Sequence, residues 1–261
     1  MPLIASVLRV LLYEFPFNEN VRTLQRLEQM FDRLAELVAR ESALDHHFAL
    51  VTLFEVLEVA QRTDLKGELM KDLERQKSHF NAYRGNPAVS EGALEQIIGR
   101  LEAAFQGLNT LQGKPGAVLA SNEMLSGVRS RIAIPGGTCE FDLPAYHAWQ
   151  QGSGSARRTD VLRWMDSVMP LARAVSLLLG LLRETAVPHK VAAQAGQYQQ
   201  TLNGSKAHQL LRLHIDPALG LIPEISGHRL MVSIRLMRED AEGRMRLAGN
   251  ADVAMELSFC A

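Results

Sequence analysis

The spacing of apolar residues changes once along this chain of 261 residues, from steps of three and four to steps of two, and that change constrains the fold more than any motif. Val21, Leu24, Leu27, Phe31, Leu34 and Leu37 fall on one helical face, with Arg22, Arg26, Glu28, Asp32 and Glu36 opposite. The pattern predicts further helices over Leu44 to Ala60, Leu65 to Phe80, and from an N-cap at Ser90 through Leu94, Ile98, Leu101 and Leu108. A longer helix is expected from Arg158 to Glu184, bent at Pro170 where an amide donor is lost. Short connections favour antiparallel neighbours in a bundle-like array.

After Ala186 the period is two. Leu211, Leu213 and Ile215 oppose Arg212 and His214; Leu230, Val232, Ile234 and Leu236 oppose Met231, Ser233 and Arg235; Val253, Met255, Leu257 and Phe259 alternate likewise. Such patterns fit an antiparallel sheet with one face covered. Asn203-Gly204 and Glu242-Gly243 are turn signals. Between the helices, RSRIAIPGGTCEFDLP (129–144) alternates around Gly136-Gly137 and predicts a hairpin that joins the sheet. The expected fold class is therefore α+β. A mainly helical domain spans 18–186, interrupted by the 129–142 hairpin, and a smaller β-rich domain spans 187–261, supplemented by residues 7–14 as a strand.

Composition narrows the function. Hydrophobic residues at 47% and charged residues at 22% suit a packed globular chain. Twenty-eight Lys and Arg against 29 Asp and Glu leave a net charge of -1, so no global positive field draws nucleic acid or anionic lipid. Two cysteines, Cys139 and Cys260, form at most one bridge, and a reducing compartment is expected. The apolar start is interrupted by Arg9 and has no basic residue ahead of it, so it reads as folded chain rather than a signal sequence. No apolar run approaches the roughly 20 residues that cross a bilayer. A cytoplasmic protein without membrane insertion is the expectation.

Catalytic signatures are missing: no phosphate loop, G-x-S-x-G elbow, H-E-x-x-H helix or C-x-x-C pair occurs. His46-His47 point in different directions on a helix, and nothing in the spacing requires His208, His214, His228 and Cys260 to converge on zinc. The chain is expected to be no enzyme and to need no cofactor or metal.

Arginine is more informative. Arg22 and Arg26, four residues apart, project from one side of the first helix, a geometry suited to gripping a carboxylate-bearing peptide. Arg129 and Arg131 share a face of the expected strand, and His147 follows in FDLPAYHAW. Solvated charge and local ion pairing are the more ordinary account of any single one of these residues, so each pair alone is weak evidence.

Three long stretches carry a resemblance. LLYEFPFNENVRTLQRLE (11–28), IAIPGGTCEFDLPAYHAW (132–149) and LIPEISGHRLMVSIRLM (221–237), in that order and spacing, resemble the ZapD family of bacterial cell-division proteins. The resemblance implies symmetric dimers with a helical and a β-rich domain that bind the C-terminal tail of FtsZ, the tubulin-like GTPase of the division ring. A dimer with two tail sites joins filaments into bundles at midcell. By the same resemblance Arg22, Arg26, Arg129, Arg131 and His147 form the tail-binding surface. Glu123 departs from relatives that carry positive charge near that position. An adaptor for an unrelated partner, and a nucleic-acid-binding protein, are the alternatives.

Overall fold

The computed structural model describes residues 10–261 apart from 63, 112, 114 and 204–206. The chain forms two compact units: one takes the chain through Arg22 together with Leu179–Ala261, the other is Thr23–Leu178. The fold is α+β, with a helical part and a part built of antiparallel sheets.

The helices are α1 (Glu19–Ala39), α2 (Ala43–Arg62), α3 (Leu65–Asn81), α4 (Glu91–Asn109), α5 (Ala117–Ala120), α6 (Glu123–Arg131), α7 (Pro144–Gln150), α8 (Gly154–Met165) and α9 (Met169–Glu184). The first four follow the apolar period. In α4 the buried residues are Leu94, Ile98, Leu101, Ala104 and Leu108, one stripe at helical spacing. Its N-cap is Ser90, whose hydroxyl accepts from the Ala93 amide at 3.4 Å. Asp64 serves α3 likewise, accepting from Gly67 at 3.2 Å. Such caps satisfy amides that the helix leaves orphaned and contribute about 1 kcal/mol each.

Two expectations are corrected here. The long helix from Arg158 is two helices, α8 and α9, bent by 69° across a break at Asp166–Val168. Pro170 is the second residue of α9, where a missing N–H removes no intrahelical bond; it starts a helix rather than bending one. No single helix among the described residues is long and apolar enough to cross a membrane.

The expected hairpin over 129–142 is also absent. Asn122 caps α6 by accepting from the Leu125 amide at 3.0 Å, and Leu125 and Val128 bury one helical face. Helix therefore runs through Arg129 and Arg131, both in its last turn. Beyond it the chain folds into successive turns, with Ile134 donating to Arg131, Gly137 to Ile134 and Cys139 to Gly136. The two glycines that suggested a hairpin serve this coil. Gly136 has φ +69°, and a Cβ on Gly137 would lie 2.6 Å from the Arg131 carbonyl oxygen.

The β-rich unit holds two sheets where the sequence suggested one. The first has the order β1-β4-β8-β2, from Leu11–Pro16, Leu210–Ile215, Val253–Cys260 and Val187–Ala193. In the second, β6 (Met231–Glu239) lies between β3 (Gln197–Thr201) and β5 (Ile222–His228), and β7 (Met245–Leu247) pairs with the end of β6. Leu211, Leu213 and Ile215 of β4 and Val253, Met255 and Leu257 of β8 share one core with Val232, Ile234 and Leu236 of β6. Alternation thus buries one face of each sheet against the other, as in a sandwich.

The initial apolar run enters this unit as β1, antiparallel to β4 with Leu11 opposite Ile215 and Pro16 opposite Leu210. Residues 7–9 of the expected strand, and Gly204 of the expected turn, lie outside the described residues. Phe15 and Phe17 close the core edge, with Phe17 stacked 6.3 Å from Phe259. On the opposite face Glu14 accepts from Arg183 at 2.9 and 2.7 Å and from Arg212 at 3.0 Å. One carboxylate thereby serves two half-buried guanidiniums, a geometry in which each ion is satisfied.

Candidate partner-binding surface

Five residues pointed to a basic surface, and the structure sorts them into two groups. Arg22 and Arg26 lie one turn apart on α1. Arg22 is half-exposed and pairs with Glu19 (Nε–Oε2 3.2 Å), while Arg26 is exposed. Arg129, Arg131 and His147 belong to α6 and α7, which pack together with the Cβ position of Gly127 only 3.2 Å from Leu143.

Within the second group the three residues differ. Arg131 donates to Asp142 at 2.7 Å across the coil, so its positive charge is spent inside the molecule and pins the two ends of the coil together. Arg129 is exposed and, among the described residues, its partner is a neutral amide, the Gln61 oxygen at 3.4 Å. His147 is exposed on α7. Ile134 and Phe141 also face outward, Phe141 with 80% of its surface accessible.

Local sequence explains why His147 faces out. Tyr146 and Trp149 are three residues apart and share the inner face of α7. The buried Tyr146 hydroxyl lies 2.7 Å from His47 Nδ1 on α2. Trp149 stacks on Tyr146 at 5.6 Å and donates to Asp160 of α8 at 3.0 Å. With α7 held on that face, position 147 turns to solvent.

Beside Arg129 a pocket of about 250 Å³ opens between α2, α5 and α6. Phe54, Leu57, Leu119 and Leu125 supply its apolar wall, with Ser126, Arg129 and Ser130 along its rim. The pocket residues lay hidden in the sequence, because an apolar residue in a helical stripe reads as core whether it packs on protein or lines a cleft. Phe141 carried a signal: a lone aromatic between Glu140 and Asp142 in a turn-rich stretch has no apolar neighbours to bury it.

The support beneath this surface was also invisible in sequence. Arg157 at the start of α8 is 6% exposed. It donates to Glu41 O at 2.7 Å, to Gln150 O at 2.8 Å, to Gly152 O, and to His46 Nδ1 at 3.2 Å. Arg158 donates to the carbonyls of Val38 (3.0 Å), Ala39 (2.9 Å) and Arg40 (3.2 Å). Arg158 thus satisfies orphan carbonyls at the end of α1, where the helix dipole is negative, while Arg157 takes the carbonyl of Glu41 just beyond it and those of Gln150 and Gly152 at the end of α7.

Burial lowers both histidines of α2 from their ordinary range; at His46 the positive charge of Arg157 adds to this, against the carbonyls of Val38 and Arg40. Burial also raises the Tyr146 hydroxyl, so Tyr146 stays a neutral donor able to bond His47 Nδ1. Because the native histidines hold protons less tightly than the unfolded chain, the unfolded state binds more protons as pH falls below about 6.5. Stability contributed by the neutral pair is whole above that pH and falls as pH drops toward the lowered native values. Both tryptophans of the chain, Trp149 and Trp164, lie in the helical unit, so their fluorescence reports its unfolding. Urea midpoints should therefore decline from pH 7.5 to 5.5, and His46→Asn with His47→Gln should flatten that decline. A wild-type midpoint constant over the interval would contradict the assignment.

Among the described residues no group of three or more His, Cys, Asp or Glu is placed to hold a metal ion. Cys139 and Cys260 are both free thiols. The surface of α6 and α7 offers hydrogen-bond donors, an apolar pocket and outward apolar side chains, an arrangement for docking.

The sequence model of the ZapD cell division protein family matches residues 25–235. This chain belongs to the ZapD family. The match covers the whole span from α2 to α9 and reaches into β6, so the α6–α7 surface and the pocket beside Arg129 both lie within family sequence. A ZapD-family chain is a cell-division protein, and that is the functional frame for the surface described above.

Proposed function

We propose that this chain is a non-catalytic division factor that binds the C-terminal tail of FtsZ and, as a homodimer, crosslinks FtsZ filaments in the cytoplasm at the division ring. The observation that carries the proposal is membership of the ZapD family over residues 25–235. The α6–α7 surface supports it chemically. A tail segment with carboxylates and apolar side chains finds a guanidinium at Arg129, a histidine at 147, outward apolar residues at Ile134 and Phe141, and a pocket of about 250 Å³ for one side chain. Arg22 and Arg26 enter the proposal through the family resemblance, and Arg131 as the residue that shapes the coil.

Bundling requires two sites per particle. Once one tail is held, the second binds at the effective concentration set by the dimer, and a filament presents tails in series, so weak contacts suffice. Light scattering of assembled FtsZ tests this. Scattering should rise when the protein is added to filaments and fall as salt screens the contacts. A variant shown to be monomeric by ultracentrifugation should bind an isolated tail peptide and leave scattering near baseline. Undiminished bundling by a proven monomer would overturn the proposed division of labour between site and dimer.

A further inference from the structure

A second cleft lies on the helical unit, lined by α4 and α9, with a volume of about 480 Å³. It shares no lining residue with the α6–α7 surface. The two helices come together where the Cβ position of Gly107 is 3.8 Å from Pro170 Cβ. From that contact α4 runs back seven residues to Arg100 and α9 runs on seven residues to Leu177, about 10 Å in each case. The result is a trough with arginines on both walls, Arg100 from α4 and Arg173 from α9. Its floor is apolar, set by the buried Ala104 and Leu177.

The electrostatics of the trough are one-sided. No carboxylate lines it. Nearby Glu102 faces away toward Lys77 at 3.8 Å, and Glu95 toward Arg84. Among the described residues neither Arg100 nor Arg173 has a carboxylate partner, whereas most other arginines of this unit sit in ion pairs or on carbonyls. Two unneutralised guanidiniums along one apolar trough match a chain that alternates carboxylates with apolar side chains. A small inorganic anion would use the arginines and gain nothing from the floor.

We propose that the α4–α9 trough is a second docking site, for an extended acidic and apolar peptide segment, distinct from the α6–α7 surface. The segment lays aliphatic side chains over Ala104 and Leu177 and places carboxylates at Arg100 and Arg173. The site is independent of whether the FtsZ tail binds at α6 and α7, and a particle carrying both engages two acidic segments per protomer.

Hydrogen exchange of the full chain with a labelled ten-residue peptide of alternating aspartate and leucine tests the proposal. Protection should appear over 100–107 and 169–177, and should persist when Arg129 and His147 are replaced by Glu. Arg100→Glu with Arg173→Glu should remove that protection and weaken binding at this site at least tenfold. Ala103→Trp, which fills the trough from an exposed position without changing charge, should do the same and covers the case in which the double reversal fails to fold. Protection confined to α6 and α7 would overturn the second site while leaving the proposed function standing. Equal binding of the asparagine-leucine counterpart would overturn the role of the arginines. Displacement by sodium phosphate beyond that caused by sodium chloride of equal ionic strength would overturn the peptide as occupant.

Discussion

Replacing Arg129 and His147 together by Glu should weaken an FtsZ tail peptide at least tenfold, with the far-ultraviolet circular dichroism unchanged. Both side chains are exposed, and neither contributes to a buried network, so substitution removes attraction without disturbing the core. Hydrogen bonds to a charged group contribute about 1.5–3 kcal/mol each, and 1.4 kcal/mol is tenfold in affinity. Arg131→Glu is a different experiment. It opposes Asp142, which now accepts at 2.7 Å, and acts by opening the coil that carries Ile134 and Phe141. Its loss of affinity should come with increased proteolysis between 132 and 142, whereas the Arg129 and His147 variant should be cut no faster than wild type. Retained affinity in the double Glu variant, together with loss on reversing Arg22 and Arg26, would move the site to α1.

Arg157→Met should destabilise the helical unit by about 3–5 kcal/mol, the cost expected when several buried neutral acceptors lose a charged donor together. The substitution preserves the aliphatic stem and removes donors to the carbonyls of Glu41, Gln150 and Gly152 and to His46 Nδ1. Those acceptors would then be unpaired beneath a side chain that admits little water. For a unit of this size the loss corresponds to a midpoint lowered by roughly 10 °C in a thermal scan followed by tryptophan fluorescence. A shift under about 2 °C would show that water or a rearranged chain replaces the guanidinium, and the clamp that Arg157 makes from α8 onto Glu41, His46, Gln150 and Gly152 would lose its assigned role.

The helices α1, α3 and α4 were legible because each buries one stripe, α2 because its apolar run is buried on more than one side, and the strands β4, β6 and β8 because each buries alternate residues on a shared core. What escaped the sequence has physical causes. β2 (VPHKVAA) and β3 (QYQQT) lie at the sheet edges with most residues exposed, so neither shows the alternation that burial enforces. One sheet became two because strand pairing is a long-range choice that a local period does not encode. At 129–142, alternation over four residues competed with a capped helix already begun at Asn122, and the helix prevailed through Leu125 and Val128. On α2, Phe48 is 49% exposed although apolar, because Ala49, Leu50 and Leu53 turn a different, broader face inward.

Of the surface, the residue types were legible and their arrangement was not. Arg129 and His147 stand exposed on neighbouring helices, and the strand expected to carry Arg129 is a helix end. Arg131 has an internal partner eleven residues on, a pairing visible only once the coil is formed. The pocket wall combines α2, α5 and α6, and no local pattern joins Phe54 to Leu125.

Co-sedimentation with GTP-assembled FtsZ, full-length against a form lacking the C-terminal tail, tests the central claim most directly. The protein should pellet with full-length filaments at low salt and stay in the supernatant when the tail is removed. Equal pelleting with both forms would contradict tail docking, and no pelleting with either would contradict FtsZ as the partner.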